Sequence, residues 1–235
     1  MSLILALDTS SPVLSLALKR NHEPAREKRA EGLRSHSEQI VLLIEELLRE
    51  AGVKPAEIDI FLIGRGPGSF TGLRVGFAVV KGFLAVEKKD CYGAVSLDTI
   101  AANAALPNGA DLGICLDAFR SKIYFRAYRR ENSGWVPQGE AAVLSSAELG
   151  TRLTNGMALA GDGIARYRQD FENFAREKNL NVLPESAWHP RAAAMIELFL
   201  KNKNSFQKLE TPADLVPLYF RLSEAEERKQ HASPC

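Results

Sequence analysis

The chain has 235 residues and a formal net charge of +1, with 46% hydrophobic and 25% charged residues. This balance is typical of a folded globular protein, and the charge is too small for a protein that binds nucleic acid through its overall field. No apolar run approaches the about 18 residues that cross a membrane, and the first residues lack the basic start of a signal peptide, so we expect a cytoplasmic protein. Cys91, Cys115 and Cys235 form no C-x-x-C pair, which argues against a zinc site and indicates reduced thiols.

The first predicted elements are two strands. Residues 3–7, LILAL, are typical of a strand buried on both faces, and residues 13–20, VLSLALKR, predict a second strand. The turn between them, DTSS, contains Asp8, Thr9 and Ser10. Such a turn can bind phosphate through backbone N–H groups or orient a metal-bound water, yet Asp8 can equally bond to its own backbone in an ordinary hairpin turn.

Residues 21–34 are charged and poor in aliphatic side chains, which predicts a strand end followed by an exposed loop. A helix is predicted over 35–51, because Ser35 and Glu38 fit a capping box and Gly52 supplies a stop. Its apolar arc is broader than the about 100° of a simple core stripe, which indicates a second packing partner. The residues predicted to meet that partner are Ile40, Leu43, Ile44 and Leu47.

The loop GRGPGSFTGLRVG, residues 64–76, joins a strand predicted over 58–66 to a helix predicted over 71–87. Its glycines, the free N–H groups of the helix start, and the nearby Arg65 and Arg74 could hold an anion. The loop is not a Walker A loop, because no G-K-[ST] closes it, and the spacing of a dinucleotide fingerprint fails. A strand-to-helix elbow whose glycines serve packing is at least as good an interpretation.

The helix over 71–87 is apolar nearly all round, so it must be covered nearly all round. Gly72 and Gly76 lie four residues apart and leave a flat groove that another helix could approach closely. The residues predicted to meet a partner here are Gly72, Leu73, Gly76, Val80 and Phe83.

The second half of the chain begins after a short strand and a helix that starts near Ser96. The turn PNGAD, at 107–111, is our predicted boundary between a first lobe (1–106) and a second lobe (107–235). A further helix is predicted over 191–201. The segment LVPLYFR near the end is expected to form a strand or to pack back on the first lobe.

A weak internal repeat relates the two halves. Residues 112–130 predict two strands around a turn that contains Asp117. Asp8 and Asp117 thus occupy similar places, about 110 residues apart, each following an apolar strand and opening a turn into a second strand.

Catalytic and metal signatures are weak. His36 has no partner in an H-x-x-x-H or H-E-x-x-H pattern, and Ser69 lies in G-P-G-S-F rather than G-x-S-x-G, so neither a metal site nor a serine nucleophile is predicted. The run RSKIYFRAYRR could stack on unpaired bases through Arg126, Arg129 and Arg130. Its alternation favours instead a strand with its cations on the solvent face.

The chain resembles the bacterial TsaB (YeaZ) family, which takes part in making threonylcarbamoyladenosine on tRNA. The matching motifs are LALDTSS, SHSEQIVLLIEELL, GRGPGSFTGLRVGFAVVKG, VSLDTIA and LVPLYFR. The resemblance is dense over roughly residues 3–100 and thinner afterwards, where LDAFRSKIY and AGDG match. It implies an α/β protein with the actin-like ATPase (ASKHA) fold of two RNase-H-like lobes.

The resemblance also implies a function. It predicts a non-catalytic subunit needed to modify ANN-decoding tRNAs, as a homodimer or as a heterodimer with TsaD, the catalytic paralogue. TsaE would join the assembly, and TsaC would supply the threonylcarbamoyl-adenylate. In the family, the surface shared with TsaD comes from the first two helices, which match 35–51 and 71–87 here.

No cofactor is expected to be required, because the resemblance implies a degenerate nucleotide cleft. Its weak candidates here are Asp8, Thr9, Ser10 and Asp117, with no metal. The family pattern D-A-R-x-G-E-[VI]-Y becomes DAFRSKIY at 117–124, which loses a glycine and an acid. The alternatives are a stand-alone weak ATPase that uses Asp8 and Asp117, a glycoprotease-like peptidase, and a direct RNA binder.

Overall fold

The structure is a computed structural model that describes residues 2–32, 36–211 and 213–218. A first sheet contains six strands. They are β1 (Leu3–Asp8), β2 (Val13–Arg20), β3 (Arg26–Glu31), β4 (Ile60–Gly64), β5 (Asp90–Ala94) and β12 (Gln207–Lys208). Their order across the sheet is β12-β5-β4-β1-β2-β3.

A second sheet is built from the second half of the chain. Its strands are β6 (Asp111–Asp117), β7 (Ile123–Glu131), β8 (Gly134–Pro137), β9 (Ala142–Leu144), β10 (Ala158–Ala160) and β11 (Asn181–Val182). Their order is β11-β10-β6-β7-β8, and β9 pairs with β7.

The two sheets share one topology. In the first, β1 pairs antiparallel with β2 and parallel with β4, and β4 pairs parallel with β5. In the second, β6 pairs antiparallel with β7 and parallel with β10, and β10 pairs parallel with β11. The predicted α/β fold of two related RNase-H-like lobes, the actin-like ATPase arrangement, is therefore confirmed.

Helices cover both faces of the first sheet. The helices are α1 (His36–Ala51), α2 (Phe70–Val86), α3 (Ser96–Ala101), α4 (Ser146–Arg152), α5 (Gly163–Arg166), α6 (Arg168–Lys178) and α7 (Ala192–Lys201). Side chains alternate along β1, so Leu3, Leu5 and Leu7 pack with α1 and α2, while Ile4 and Ala6 pack with α7. This two-sided burial explains the unbroken apolar run LILAL.

Packing crosses the predicted boundary between residues 106 and 107 in both directions. Leu97 and Ile100 of α3 belong to the core of the second sheet. Conversely, Met195 and Ile196 of α7 belong to the core of the first sheet, and β12 pairs with β5. The division into 1–106 and 107–235 stays a prediction. In the packing, α3 from the first half joins the second sheet, and α7 and β12 from the second half join the first sheet.

A third strand lies where a loop was expected. β3 is an edge strand of mostly charged residues, so it carries no apolar pattern. Lys28 on β3 forms ion pairs with Glu46 and Glu50 of α1, at 2.9 and 2.8 Å. These contacts replace apolar packing, which is why the sequence pattern missed the strand.

Several predicted helix ends agree with the structure. Gly52 has a φ of +63° just after α1, and the Ser69 hydroxyl accepts a hydrogen bond from the N–H of Gly72 at the start of α2. The predicted cap at Ser35, Cys235 and the last residues of LVPLYFR lie outside the described residues. Within the described part of the chain, no helix is both long and apolar enough to span a bilayer.

Candidate functional site

The turn between β1 and β2 holds Asp8 in a buried and fully bonded position, with 1% of its surface exposed. Asp8 Oδ1 accepts hydrogen bonds from the backbone N–H of Ser10 at 2.8 Å and from its hydroxyl at 2.6 Å. Asp8 Oδ2 accepts one from the Ser96 hydroxyl at 2.8 Å. Burial raises the pKa of Asp8, and the bonds from Ser10 and Ser96 oppose that rise. The carboxylate is thus engaged within its own chain.

The glycine-rich loop and α2 close directly onto this turn. A Cβ at Gly72 would overlap the carbonyl oxygen of Thr9, and a Cβ at Gly68 would overlap that of Ser10. A Cβ at Gly76 would lie 2.5 Å from Thr9 Oγ1, a buried hydroxyl without a hydrogen-bond partner among the described residues. The prediction that Gly72 and Gly76 leave a groove for another helix is therefore wrong, because the turn of the same chain fills that space.

The two arginines predicted to hold an anion have different surroundings. Arg65 is 9% exposed, and its guanidinium donates hydrogen bonds to the backbone oxygen of Val216, at 3.3 Å, and to the side chain of Gln207. Burial lowers the pKa of Arg65. Arg65 thus fastens the C-terminal segment, which disfavours an anion there, and its anion role stays a prediction. Arg74 is exposed and lies 3.7 Å above the centre of the Phe70 ring, and its anion role stays a prediction.

The second lobe repeats the acidic turn in a different form. Asp117, at the end of β6, accepts hydrogen bonds through Oδ1 from the N–H of Phe119 at 2.8 Å and from the Tyr167 hydroxyl at 2.9 Å. The N–H of Asp117 in turn donates to Asp162 Oδ1 at 3.0 Å. Like Asp8, Asp117 is bonded within the protein. Cofactor binding by Asp8, Thr9, Ser10 and Asp117 stays a prediction.

The protonation of Asp162 has an effect on stability that can be tested. Burial, with a smaller effect of the Asp117 charge, raises the pKa of Asp162 to about 6. The folded state then holds this proton more tightly than the unfolded state does. Stability from Asp162 is therefore present below its ordinary pKa of 3.8 and is lost as the pH rises through 6.

We expect Asp162→Asn to gain stability relative to the wild type as the pH rises from 4 to 7, by up to about 3 kcal/mol. The amide oxygen can still accept the N–H of Asp117, but it has no proton to lose. Urea unfolding of both proteins across this pH range measures the difference. A difference that does not change with pH would contradict the assignment.

The cations of β7 each contact another side chain of the protein, although Arg129 is also exposed to solvent. Arg126 lies 2.9 Å from Asp98 Oδ1 of α3, which also accepts a hydrogen bond from the Tyr128 hydroxyl at 2.6 Å. Arg129 pairs with Asp111 at 2.7 Å. The guanidinium of Arg130 lies 5.5 Å from the centre of the Trp135 ring. These contacts disfavour the alternative of RNA binding through Arg126, Arg129 and Arg130, and the solvent-facing orientation predicted for Arg126 is wrong.

Most residues predicted to form a partner contact on α1 and α2 are buried in their own chain. The buried ones are Ile40, Ile44, Leu47, Gly72, Leu73, Gly76 and Val80. Their apolar side chains pack against the sheet, the β1–β2 turn and the neighbouring helix, which disfavours the predicted contact for these residues; that contact stays a prediction. Leu43 and Phe83 are half-buried, and their predicted contact remains a prediction.

An apolar groove lies beside these buried positions, with a volume of about 670 Å³. We call it the α2 groove. Its lining comprises Val41, Lys54, Pro55, Ala56, Phe61, Ala78, Val79, Gly82, Phe83, Val86, Glu87 and Lys89. Val41 is 49% exposed and Val86 is 89% exposed, although both are aliphatic. A Cβ at Gly82 would meet nothing within 4 Å, so the helix backbone is open to a neighbour there.

The predicted site residues did not include Val41, Val86, Ser96 or Asp162. Periodicity identifies the apolar residues of α1 and α2, but it does not say which of them the sheet covers. Ser96 directly follows β5, and the AGDG motif contains Asp162, so their places at strand ends were the available signals. Across the described residues, no group of three histidine, cysteine, aspartate or glutamate side chains is placed to hold a metal ion.

Known proteins resemble this chain over most of its length. A family model described as TsaD, tRNA N6-adenosine threonylcarbamoyltransferase, matches residues 30–229. The tRNA threonylcarbamoyladenosine biosynthesis protein TsaB of Escherichia coli is 32% identical over 152 residues, which are 64% of this chain and 65% of that protein. The protein of the same name from Haemophilus influenzae is 29% identical over 238 residues, covering 93% of each. The solved structure of YeaZ from Pseudomonas aeruginosa is 26% identical, with a TM-score of 0.74 over 94% of this chain and all of that one.

Proposed function

This chain belongs to the TsaB (YeaZ) family, and we propose on that basis that it is a non-catalytic subunit for threonylcarbamoyladenosine modification of ANN-decoding tRNAs. In this proposal it binds the catalytic paralogue TsaD and holds it in its active form. TsaE joins the assembly, and self-association competes with TsaD for the same face. The site of action is the cytoplasm.

The observation that carries the proposal is the α2 groove. Its lining is mainly apolar, and Val86 leaves 89% of its surface in solvent. Contiguous exposed apolar surface is a mark of an interaction site. The exposed glycine at position 82 supports the approach of a helix, because backbone can meet backbone where no Cβ intervenes.

The bonding of Asp8 supports a role without chemistry. An ATPase would need this carboxylate free to orient a metal-bound water, but its oxygens accept three hydrogen bonds from Ser10 and Ser96. We therefore propose that no nucleotide or other cofactor is required.

Val86→Arg tests the proposal. We expect this change to reduce co-elution with TsaD at least tenfold, because it would place a guanidinium inside a mainly apolar contact. The same variant should fail to restore tRNA modification in a mixture of TsaC, TsaD and TsaE. Val86 is 89% exposed, so the fold should not change.

Leu200→Arg is the matched control. Leu200 is 51% exposed and lies on α7, on the opposite face of the first sheet from the α2 groove. This variant should co-elute with TsaD and support modification like the wild type. Full modification without this chain, or unchanged activity of Val86→Arg, would refute the proposal.

A further inference from the structure

The helix α7 has no cap from its own sequence. It begins in the stretch HPRAAAM, and the side chain at its N-cap position, Arg191, makes no capping hydrogen bond. Its first turn also carries no acidic residue. The start of a helix leaves backbone N–H groups without partners, and a serine, threonine, aspartate or asparagine at the N-cap usually supplies an acceptor. The acceptors for α7 must therefore come from another part of the chain.

The first sheet supplies these acceptors. The N–H of Ala192 donates to Ser15 Oγ of β2 at 2.9 Å, and the N–H of Ala193 donates to Glu27 Oε1 of β3 at 3.1 Å. The Ser15 hydroxyl donates to the same Glu27 oxygen at 3.2 Å. Glu27 Oε2 accepts two further hydrogen bonds from the Arg191 guanidinium, at 3.0 and 2.6 Å. The two capping pairs are 177 and 166 residues apart in the chain, so this cap forms only through the tertiary fold.

Both capping side chains are shielded from water. Ser15 is fully buried, and the Glu27 side chain is 11% exposed. Hydrogen bonds to a charged acceptor are stronger than those between neutral groups, and a negative charge near a helix N-terminus also interacts favourably with the helix dipole. The Glu27 carboxylate is therefore well placed to hold the start of α7 against the sheet.

The position of Glu27 on an edge strand lets β3 hold helices on both faces of the sheet. Side chains alternate along a strand, so Lys28 faces α1, where it pairs with Glu46 and Glu50, while Glu27 faces α7. The charged pattern of β3 thus has a purpose on each face. Lys28 fastens α1, and Glu27 fastens α7.

The helix that Glu27 holds is short and covers apolar surface. α7 has ten residues, whereas an isolated helix of fewer than about 12 residues is marginal in water. The side chains of the first sheet that pack with it are Ile4, Ala6, Ala17, Leu62, Tyr92 and Ala94. The helical state of α7 therefore depends on its seat on the sheet, and this sheet face depends on α7 for its cover.

We propose that Ser15 and Glu27 form a latch for α7. They complete its first turn only when the helix is seated on the first sheet, and loss of the latch lets α7 open as a unit while the other layers stay closed. Local opening of this kind is a general property of folded proteins, and its free energy differs between elements. The latch makes α7 a lid over the face that carries Ile4 and Ala6.

Native-state hydrogen exchange of the full chain, measured by mass spectrometry on peptides from α7 and α2, tests this proposal. Glu27→Ala should accelerate exchange in α7 by about tenfold and leave α2 unchanged, because only the cap and the pair with Arg191 are lost. Ser15→Ala keeps the charge and removes one acceptor, so it should accelerate the same amides by a smaller factor. Glu197→Ala is the matched control on α7, because its ion pair with Lys19 at 3.3 Å is solvent-exposed, and it should change exchange by less than about twofold.

Arg191→Ser separates the cap from the ion pair. The backbone at Arg191 is extended, with φ −113° and ψ 122°, which is the conformation of an N-cap, so a serine there can accept a hydrogen bond from the first turn. In the wild type this change loses the pair with Glu27 and should not slow exchange in α7. In the Glu27→Ala background it restores a cap and should slow exchange in α7.

Three outcomes would overturn the proposal. The first is exchange in α7 that Glu27→Ala leaves at the wild-type rate. The second is equal acceleration in α7 and α2, which would show a loss of global stability rather than a local latch. The third is an Arg191→Ser change that fails to slow α7 exchange in the Glu27→Ala background, which would show that the cap has no part in holding the helix.

Discussion

Gly72→Ala is expected to destabilise the protein by about 3 kcal/mol or more. The added Cβ would overlap the carbonyl oxygen of Thr9, a backbone atom that cannot rotate away. The turn that carries Thr9 is fixed by the hydrogen bonds to Asp8, so relief would require α2 to shift from the sheet. Urea unfolding monitored by circular dichroism measures the loss.

Gly82→Ala is the control on the same helix. A Cβ at Gly82 meets no atom within 4 Å, so alanine should raise stability by up to about 1 kcal/mol through helix propensity. Equal changes of stability in the two variants would show that the close approach to Thr9 does not decide the result. A stable Gly72→Ala would return this glycine to the candidates for a partner contact.

Asp98→Ala is expected to cost about 2–4 kcal/mol. It removes the acceptor of the Tyr128 hydroxyl, on a residue that is 1% exposed, and leaves the Arg126 side chain, 14% exposed, without its ion pair. Because Asp98 lies on α3 and both partners lie on β7, the change also loosens the attachment of α3 to the second sheet. Thermal and urea unfolding both report the loss.

Tyr128→Phe isolates one part of this interaction. It removes the hydroxyl but leaves the ion pair, so a smaller loss of about 1 kcal/mol is expected. Asp98→Ala should cost less in the Tyr128→Phe background than in the wild type, because the two residues share one hydrogen bond. Additive losses in the double variant would contradict a direct coupling.

The sequence carried enough information for the architecture. Buried strands such as β1 and the strand pairs that open at Asp8 and Asp117 have clear local patterns, and the repeat of these pairs predicted the two related lobes. The family resemblance added the fold name. Local pattern sufficed because each of these features is set by residues close together in the chain.

The candidate site was harder to predict because it depends on distant contacts. Arg65 looked like a free cation, but its partners Gln207 and Val216 follow more than 140 residues later. Gly72 and Gly76 carry the pattern of a helix contact, and nothing local indicates that a turn of the same chain fills the space. Periodicity likewise cannot separate the buried Val80 from the exposed Val86 on one apolar helix.

The packing of α7 and β12 from the second half of the chain onto the first sheet affects how the protein can fold during its synthesis on the ribosome. Proteins generally begin to fold from the N-terminal end as they emerge. Here the face of the first sheet that carries Ile4 and Ala6 stays bare until α7 has been translated, almost 200 residues after the strand itself. During synthesis, the nascent first lobe therefore keeps one apolar sheet face exposed until residues 192–201 have left the ribosome.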